Sequence, residues 1–120
     1  MARIRTVKPS FWASMGHFSR DARLLALGLI SLADDDGRFI ATPTAVLGYV
    51  FPLDENITPA QVRKWLRELE QPKPGDTTPL VITYSHNGSR YGFFPKYRTH
   101  QRISHPQASP LPAPPEEALF

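Results

Sequence analysis

Residues 58–71 read TPAQVRKWLRELEQ, and the remaining segments are best interpreted relative to them. Thr58 is a good N-cap, Pro59 suits the first helical position, and Gln61 stands where a capping box has its reciprocal partner. Val62, Trp65, Leu66 and Leu69 recur at i, i+3, i+4 and i+7, so a helix gathers them into one apolar stripe. Arg63, Lys64 and Arg67 fall off that stripe. One face therefore packs, and a cationic face is left for solvent or a partner. The plain alternative is a surface helix whose Lys64–Glu68 and Arg67–Glu70 spacings permit ordinary intrahelical pairs.

Upstream, Thr42-Pro43 repeats the same cap-then-proline start, and the spacing predicts a helix over 43–50 that buries Val46, Leu47 and Val50. Phe51-Pro52 stops it. The link 51–57 is longer than the tight turn of the simplest helix-turn-helix, with Phe51 and Ile57 expected at the core edge. Residues 19–33, SRDARLLALGLISLA, predict the core helix: Ser19 caps it and Asp21 suits its first turn. Its stripe is Ala22, Leu25, Leu29 and Leu32, widened by Leu24, Ile30 and Ala33. Asp34-Asp35-Asp36-Gly37 is expected to be a solvated turn, since adjacent acids lack the spaced ligands of a calcium loop. Arg38-Phe39-Ile40 reads as a short strand.

Downstream, the prolines of 72–79 make a rigid loop. Residues 80–84, LVITY, and 91–94, YGFF, predict two strands joined by SHNGS, in which Asn87-Gly88 is a hairpin signal. The expected architecture is α+β: a winged helix-turn-helix of three helices and a β-hairpin wing over 19–95. An irregular basic and aromatic arm, 1–18, precedes it. A tail over 96–120 is basic at first, with Tyr97 and Ile103 as anchors, and then proline-rich, flexible and extended. Phe11, Trp12 and Phe18 of the arm are expected to anchor on the core, since exposed aromatics are costly; stacking on bases is the other use of such a segment.

Composition narrows the function. The chain has 120 residues, 41% of them hydrophobic, which suits one modest core with tails. No apolar run has transmembrane length, and MARIRTVKPSFW is not followed by the apolar region of a secretory signal. The absence of cysteine excludes disulfides and thiolate metal sites and fits a reducing cytoplasm. The formal charge is only +3, but it is segregated. No acid precedes Asp21, and none stands between Asp76 and Glu116, a stretch that holds Arg90, Lys96, Arg98 and Arg102. Such segregation favours a polyanionic partner. There is no GxxxxGK[ST] loop, no GxSxG elbow and no cysteine nucleophile, so an enzyme is not expected. His100 and His105 stand in a basic segment with no carboxylate neighbour to orient them, and neither a metal nor a cofactor is expected.

Taken together, ARIRTVKPSFW at the start, SRDARLLALGLISLADDDGRF, VRKWLRELE and HQRISHPQASPLP resemble phage replication-initiation proteins. The likeness is to the N-terminal winged-helix domain of phage replisome organisers, and it spans roughly residues 2–112. The resemblance implies binding of double-stranded DNA at a replication origin and recruitment of a replicative helicase or its loader, in the cytoplasm of a bacterial host cell. A homodimer or higher assembly on DNA is compatible with it. Longer relatives carry a further C-terminal region, and the 72–79 loop is longer than the family's usual link. On such a fold the helix 58–71 enters the major groove. Gln61 is then a candidate to pair with adenine, and Arg63, Lys64 or Arg67 to reach guanine or phosphate. Arg90 at the wing is a candidate phosphate contact, Arg3 and Arg5 candidate minor-groove residues, and Lys96, Arg98 and Arg102 an extension of the phosphate track. A transcription regulator on the same scaffold and a protein-interaction module are the competing readings.

Overall fold

The computed structural model describes residues 4–119. Ser10–Ser14 forms a short helix, α1, and Arg20–Leu32 the long helix α2. Strand β1 is Arg38–Ile40, helix α3 Pro43–Val50 and helix α4 Pro59–Leu69. Strands β2, Ile82–His86, and β3, Ser89–Phe93, follow, then the one-turn helix α5, Tyr97–His100, and a 3₁₀ turn over Glu116–Leu119. The fold is α+β, with a small antiparallel sheet in the order β1-β3-β2. The helices expected from periodicity all form, and α1, α5 and the 3₁₀ turn add to them.

The cores of α2 and α4 are built as their spacing requires. In α2, Ala22, Leu25, Ala26, Leu29 and Ile30 are buried; in α4, Val62, Trp65, Leu66 and Leu69 are. The Ser19 hydroxyl accepts from the Ala22 N–H at 3.3 Å, which starts α2. Val46 and Phe51 close the core from the α3 side, and Phe39, Val81 and Phe94 from the sheet side. Leu24 departs from its expected place in the α2 stripe and is 50% exposed. Three positions from Leu27 and four from Gly28, it shares with them a flank of α2 that lies beside Tyr49 and Val50 of α3.

Strand β3 is central. It pairs with β1 through Arg38↔Phe93, Phe39↔Gly92 and Ile40↔Tyr91, and with β2 from Ile82↔Phe93 to His86↔Ser89. The connection is therefore two residues, shorter than the five expected. Asn87 and Gly88 both take positive φ, 50° and 81°. That is the geometry of a type I′ turn, whose twist matches the strands, so the ladder runs up to the turn itself. Leu80 and Val81 stay outside the strand, and the Val81 N–H instead bonds the Leu69 carbonyl at the end of α4.

The terminal segments fold back. The Cα radius of gyration is 13.8 Å, close to the roughly 14 Å of a compact chain of this length. Phe18 is buried and Phe11 half-buried, whereas Trp12 is 49% exposed with its edge against Phe11. Core anchoring thus holds for two of the three aromatics of the arm. The tail is tied down rather than free and extended. The Arg38 guanidinium donates to the Leu111 carbonyl at 3.2 Å, and the Tyr84 hydroxyl donates to the Pro112 carbonyl at 2.6 Å. Burial raises the Tyr84 pKa above its ordinary value. Among the described residues no helix is long and apolar enough to cross a membrane.

Candidate nucleic-acid interface

Helix α4 is fixed at both ends by its own polar residues. The Thr58 hydroxyl accepts from the Gln61 N–H at 3.3 Å, and the Gln61 carbonyl oxygen accepts from the Thr58 N–H at 2.9 Å. The capping box is complete. Its completion restricts Gln61: bidentate pairing to adenine uses both ends of the carboxamide, and here the oxygen already serves the helix start.

The two acids near the C-terminal end of α4 are spent on tertiary contacts. Glu68 accepts from the Ser19 N–H and from the Ser19 hydroxyl, so it joins α4 to the start of α2. Glu70 accepts from the Thr83 N–H at 2.9 Å and from its hydroxyl at 2.7 Å, which joins the end of α4 to β2. These are the carboxylates that the intrahelical alternative assigns to Lys64 and Arg67. Among the described residues, no salt bridge reaches Arg63, Lys64 or Arg67. All three are exposed. They span about 6 Å along the axis, on the side opposite a fully buried stripe.

Arg90 lies on the hairpin beside α4. Its guanidinium donates to the Ser85 hydroxyl at 3.0 Å and to the Thr83 hydroxyl, which in turn donates to Glu70. The relay lays Arg90 flat along the strand and links hairpin to helix. Arg90 is still exposed, as are His86, Asn87 and Ser89 at the turn.

Other sequence candidates are placed elsewhere. Arg5 is no groove-reaching arm residue. Its side chain is 4% exposed, ion-paired to Asp35 at 3.1 Å, donating to the Ala33 carbonyl at 2.9 Å and lying 5.4 Å over the Tyr97 ring. The Asp34–Asp36 turn is correspondingly not a solvated one. Asp34 accepts from the Asp36 and Arg38 N–H groups, both at 3.0 Å, and from the Ser109 hydroxyl. Asp35, 5% exposed, also accepts from the Gln107 N–H at 2.9 Å. Asp36 accepts from Arg98 and from the Ser109 N–H, both at 2.9 Å. Arg98 further donates to the Asp35 carbonyl at 2.6 Å, so its fork is committed to this turn, although the side chain is 50% exposed. Gly37 takes φ 78°, and a Cβ there would lie 2.6 Å from that of Tyr97, so both backbone and packing demand glycine.

Tyr97 closes this hub from the other side. Its hydroxyl donates to the Ile30 carbonyl at 2.9 Å, and burial, partly offset by Arg5, pushes its pKa up to about 12. Arg102 is exposed beyond α5, and Lys96 is exposed beside a cleft between the arm and the 72–80 loop. Arg3 lies outside the described residues. The structure thus brings Arg63, Lys64 and Arg67 together, sets Arg90 on the neighbouring hairpin, and withdraws Arg5 and Arg98.

Reading the sequence missed the positioning roles of Glu68 and Glu70. Their signal was present in weak form: both interrupt an otherwise cationic face. Nor did that reading join Lys8 of the basic opening, or Lys73, to Lys96, because separation in sequence hides that the three line one cleft. In comparisons with family models, with curated proteins and with solved structures, none matches this chain.

Proposed function

We propose that this chain is a winged helix-turn-helix domain that binds double-stranded DNA, with α4 as the groove-reading helix and the β2–β3 hairpin as the wing. One observation carries the reading: Arg63, Lys64 and Arg67 stand exposed and unpaired by any described acid, on a helix whose opposite face is buried and whose own carboxylates are turned inward. The element order helix, strand, helix, helix, strand, strand with the middle position taken by the last strand supports the winged form. The major groove admits an α-helix, and cations at this spacing meet guanine edges or phosphates. Lys64 and Arg63, nearer the N-terminus, serve base edges or the nearest phosphates, and Arg67 holds backbone. Arg90 adds a phosphate contact from the wing, and Arg102 lies free to add another.

The resemblance of ARIRTVKPSFW, VRKWLRELE and HQRISHPQASPLP to replisome organisers supports a role for this binding in the initiation of phage or prophage DNA replication. The test is fluorescence anisotropy with labelled duplex over a salt series. Duplex binding with a steep inverse dependence on salt is expected. Salt-insensitive binding, or none at low salt, would overturn the reading. A footprint that falls on an origin supports the replication role, and one on a promoter supports a transcription regulator instead.

A further inference from the structure

A cleft of about 260 Å³ opens where the N-terminal arm, the loop after α4 and α5 meet. Its floor is apolar: Met15, Ile30, Leu80, Phe94 and the ring of Tyr97 contribute to it. Its rim is cationic, with Lys8 from the arm, Lys73 from the loop and Lys96 before α5, while His100 adds a further donor. Asp76 is the one acid among the lining residues. None of Arg63, Lys64, Arg67 or Arg90 lines the cleft, so it is distinct from the proposed DNA face.

We propose that this cleft docks an acidic peptide segment of a partner protein, with one aromatic side chain seated on the apolar floor and flanking carboxylates on the lysine rim. Size and charge select this occupant. The volume falls below the roughly 300 Å³ at which pockets for drug-sized ligands begin, and it suits one large anchor residue. The three lysines line the cleft from separate segments, so they suit several anions spread along a chain better than one compact head group. A platform for nucleobases needs exposed aromatic faces. Of the aromatics that line the cleft, Phe94 and Tyr97 are only 6% and 4% exposed, and half-buried Phe11 stands alone on the wall, its ring edge-on to Trp12.

Asp76 gives the idea a second handle. Its Oδ1 accepts from the Thr78 N–H at 3.2 Å, and Lys96 and Lys73 both lie close enough to contribute to its lowered pKa. The same carboxylate therefore offsets part of the rim's charge, and an asparagine there keeps an acceptor for Thr78 while removing the offset.

The experiment uses the full chain and a short labelled peptide of Asp and Glu residues around a single Phe, read by fluorescence polarisation. Trp12 supplies an unlabelled signal, since its edge contacts Phe11, a residue of the cleft wall, while Trp65 is buried in the core. Saturable binding is expected, lost when the peptide Phe becomes Ala. Lys73→Glu with Lys96→Glu should weaken binding about tenfold, and Asp76→Asn should tighten it about threefold. Substitution of Arg63, Lys64 and Arg67 should leave it unchanged, which separates this proposal from the DNA reading. Absence of binding, indifference to the Phe or to the charge reversal, or tighter occupation of the cleft by a single-stranded oligonucleotide would each overturn it.

Discussion

The Asp34–Gly37 turn and the outer face of α4 hold opposite charges and treat them in opposite ways. At the turn, three consecutive carboxylates collect Arg5, Arg98, the backbone of Gln107 and Ser109, and the turn's own N–H groups. On α4, the two carboxylates are drawn off by Ser19 and Thr83, and three cations are left in water. Both regions concentrate formal charge in the sequence, but only the second offers it to a partner. A cation is available when the acids within reach are held by other donors, as Glu68 and Glu70 are, and it is consumed when it is itself one of the donors that hold the acid, as Arg5 and Arg98 are.

The largest effect expected from this contrast is at the turn. Asp35→Ala leaves the Arg5 guanidinium, 4% exposed, without its counter-ion, and the loss should be about 3–5 kcal/mol of unfolding free energy in urea denaturation. A loss below about 1 kcal/mol would show that the turn is no hub. Alkaline titration probes the same region through Tyr97. The unfolded tyrosine ionises near pH 10, whereas the folded one holds its proton up to about 12. Its contribution to stability is therefore fully present below about pH 10 and drains away as pH climbs from there toward 12. Urea midpoints across that range should fall less steeply for Tyr97→Phe than for the parent chain.

At α4 the order of effects reverses. Lys64→Ala with Arg67→Ala should change stability by no more than about 0.5 kcal/mol. The same pair should weaken duplex binding by about 2 kcal/mol, roughly thirtyfold, and flatten the slope of log affinity against log salt by about two. The smallest effect sharpens the comparison most. Arg98→Ala removes a half-exposed pair, so its cost should stay under about 1 kcal/mol, and duplex affinity should not move. Equal losses of affinity for Arg98→Ala and Arg67→Ala would erase the distinction between the two regions.

The features legible in the sequence were those with a local cause. The helix at α4 was written in Thr58, Pro59 and Gln61 and in a four-residue stripe, and the structure reproduces each contact. The hairpin was written in Asn87-Gly88, although the strands run closer to the turn than the β-branched runs alone suggested. The hub was not legible, because its partners lie 30 to 75 positions apart along the chain. An acid run looks the same whether water or a distant arginine satisfies it. The tail's proline content likewise describes its stiffness and says nothing of the carbonyls of Leu111 and Pro112, which receive Arg38 and Tyr84.

Thr6 and Gln101 clasp one another: the Thr6 N–H donates to the Gln101 carboxamide oxygen, and the Gln101 NH₂ donates to the Thr6 carbonyl, both at 2.8 Å. The side chain thereby imitates a strand neighbour for the arm. During synthesis the arm leaves the ribosome before its partner, which is made some 95 positions later. Closing so long a loop costs entropy that only an already folded interior can offset. The arm must therefore dock after the helices and sheet have set, and substitutions at Thr6 or Gln101 should speed unfolding while leaving the folding rate nearly untouched.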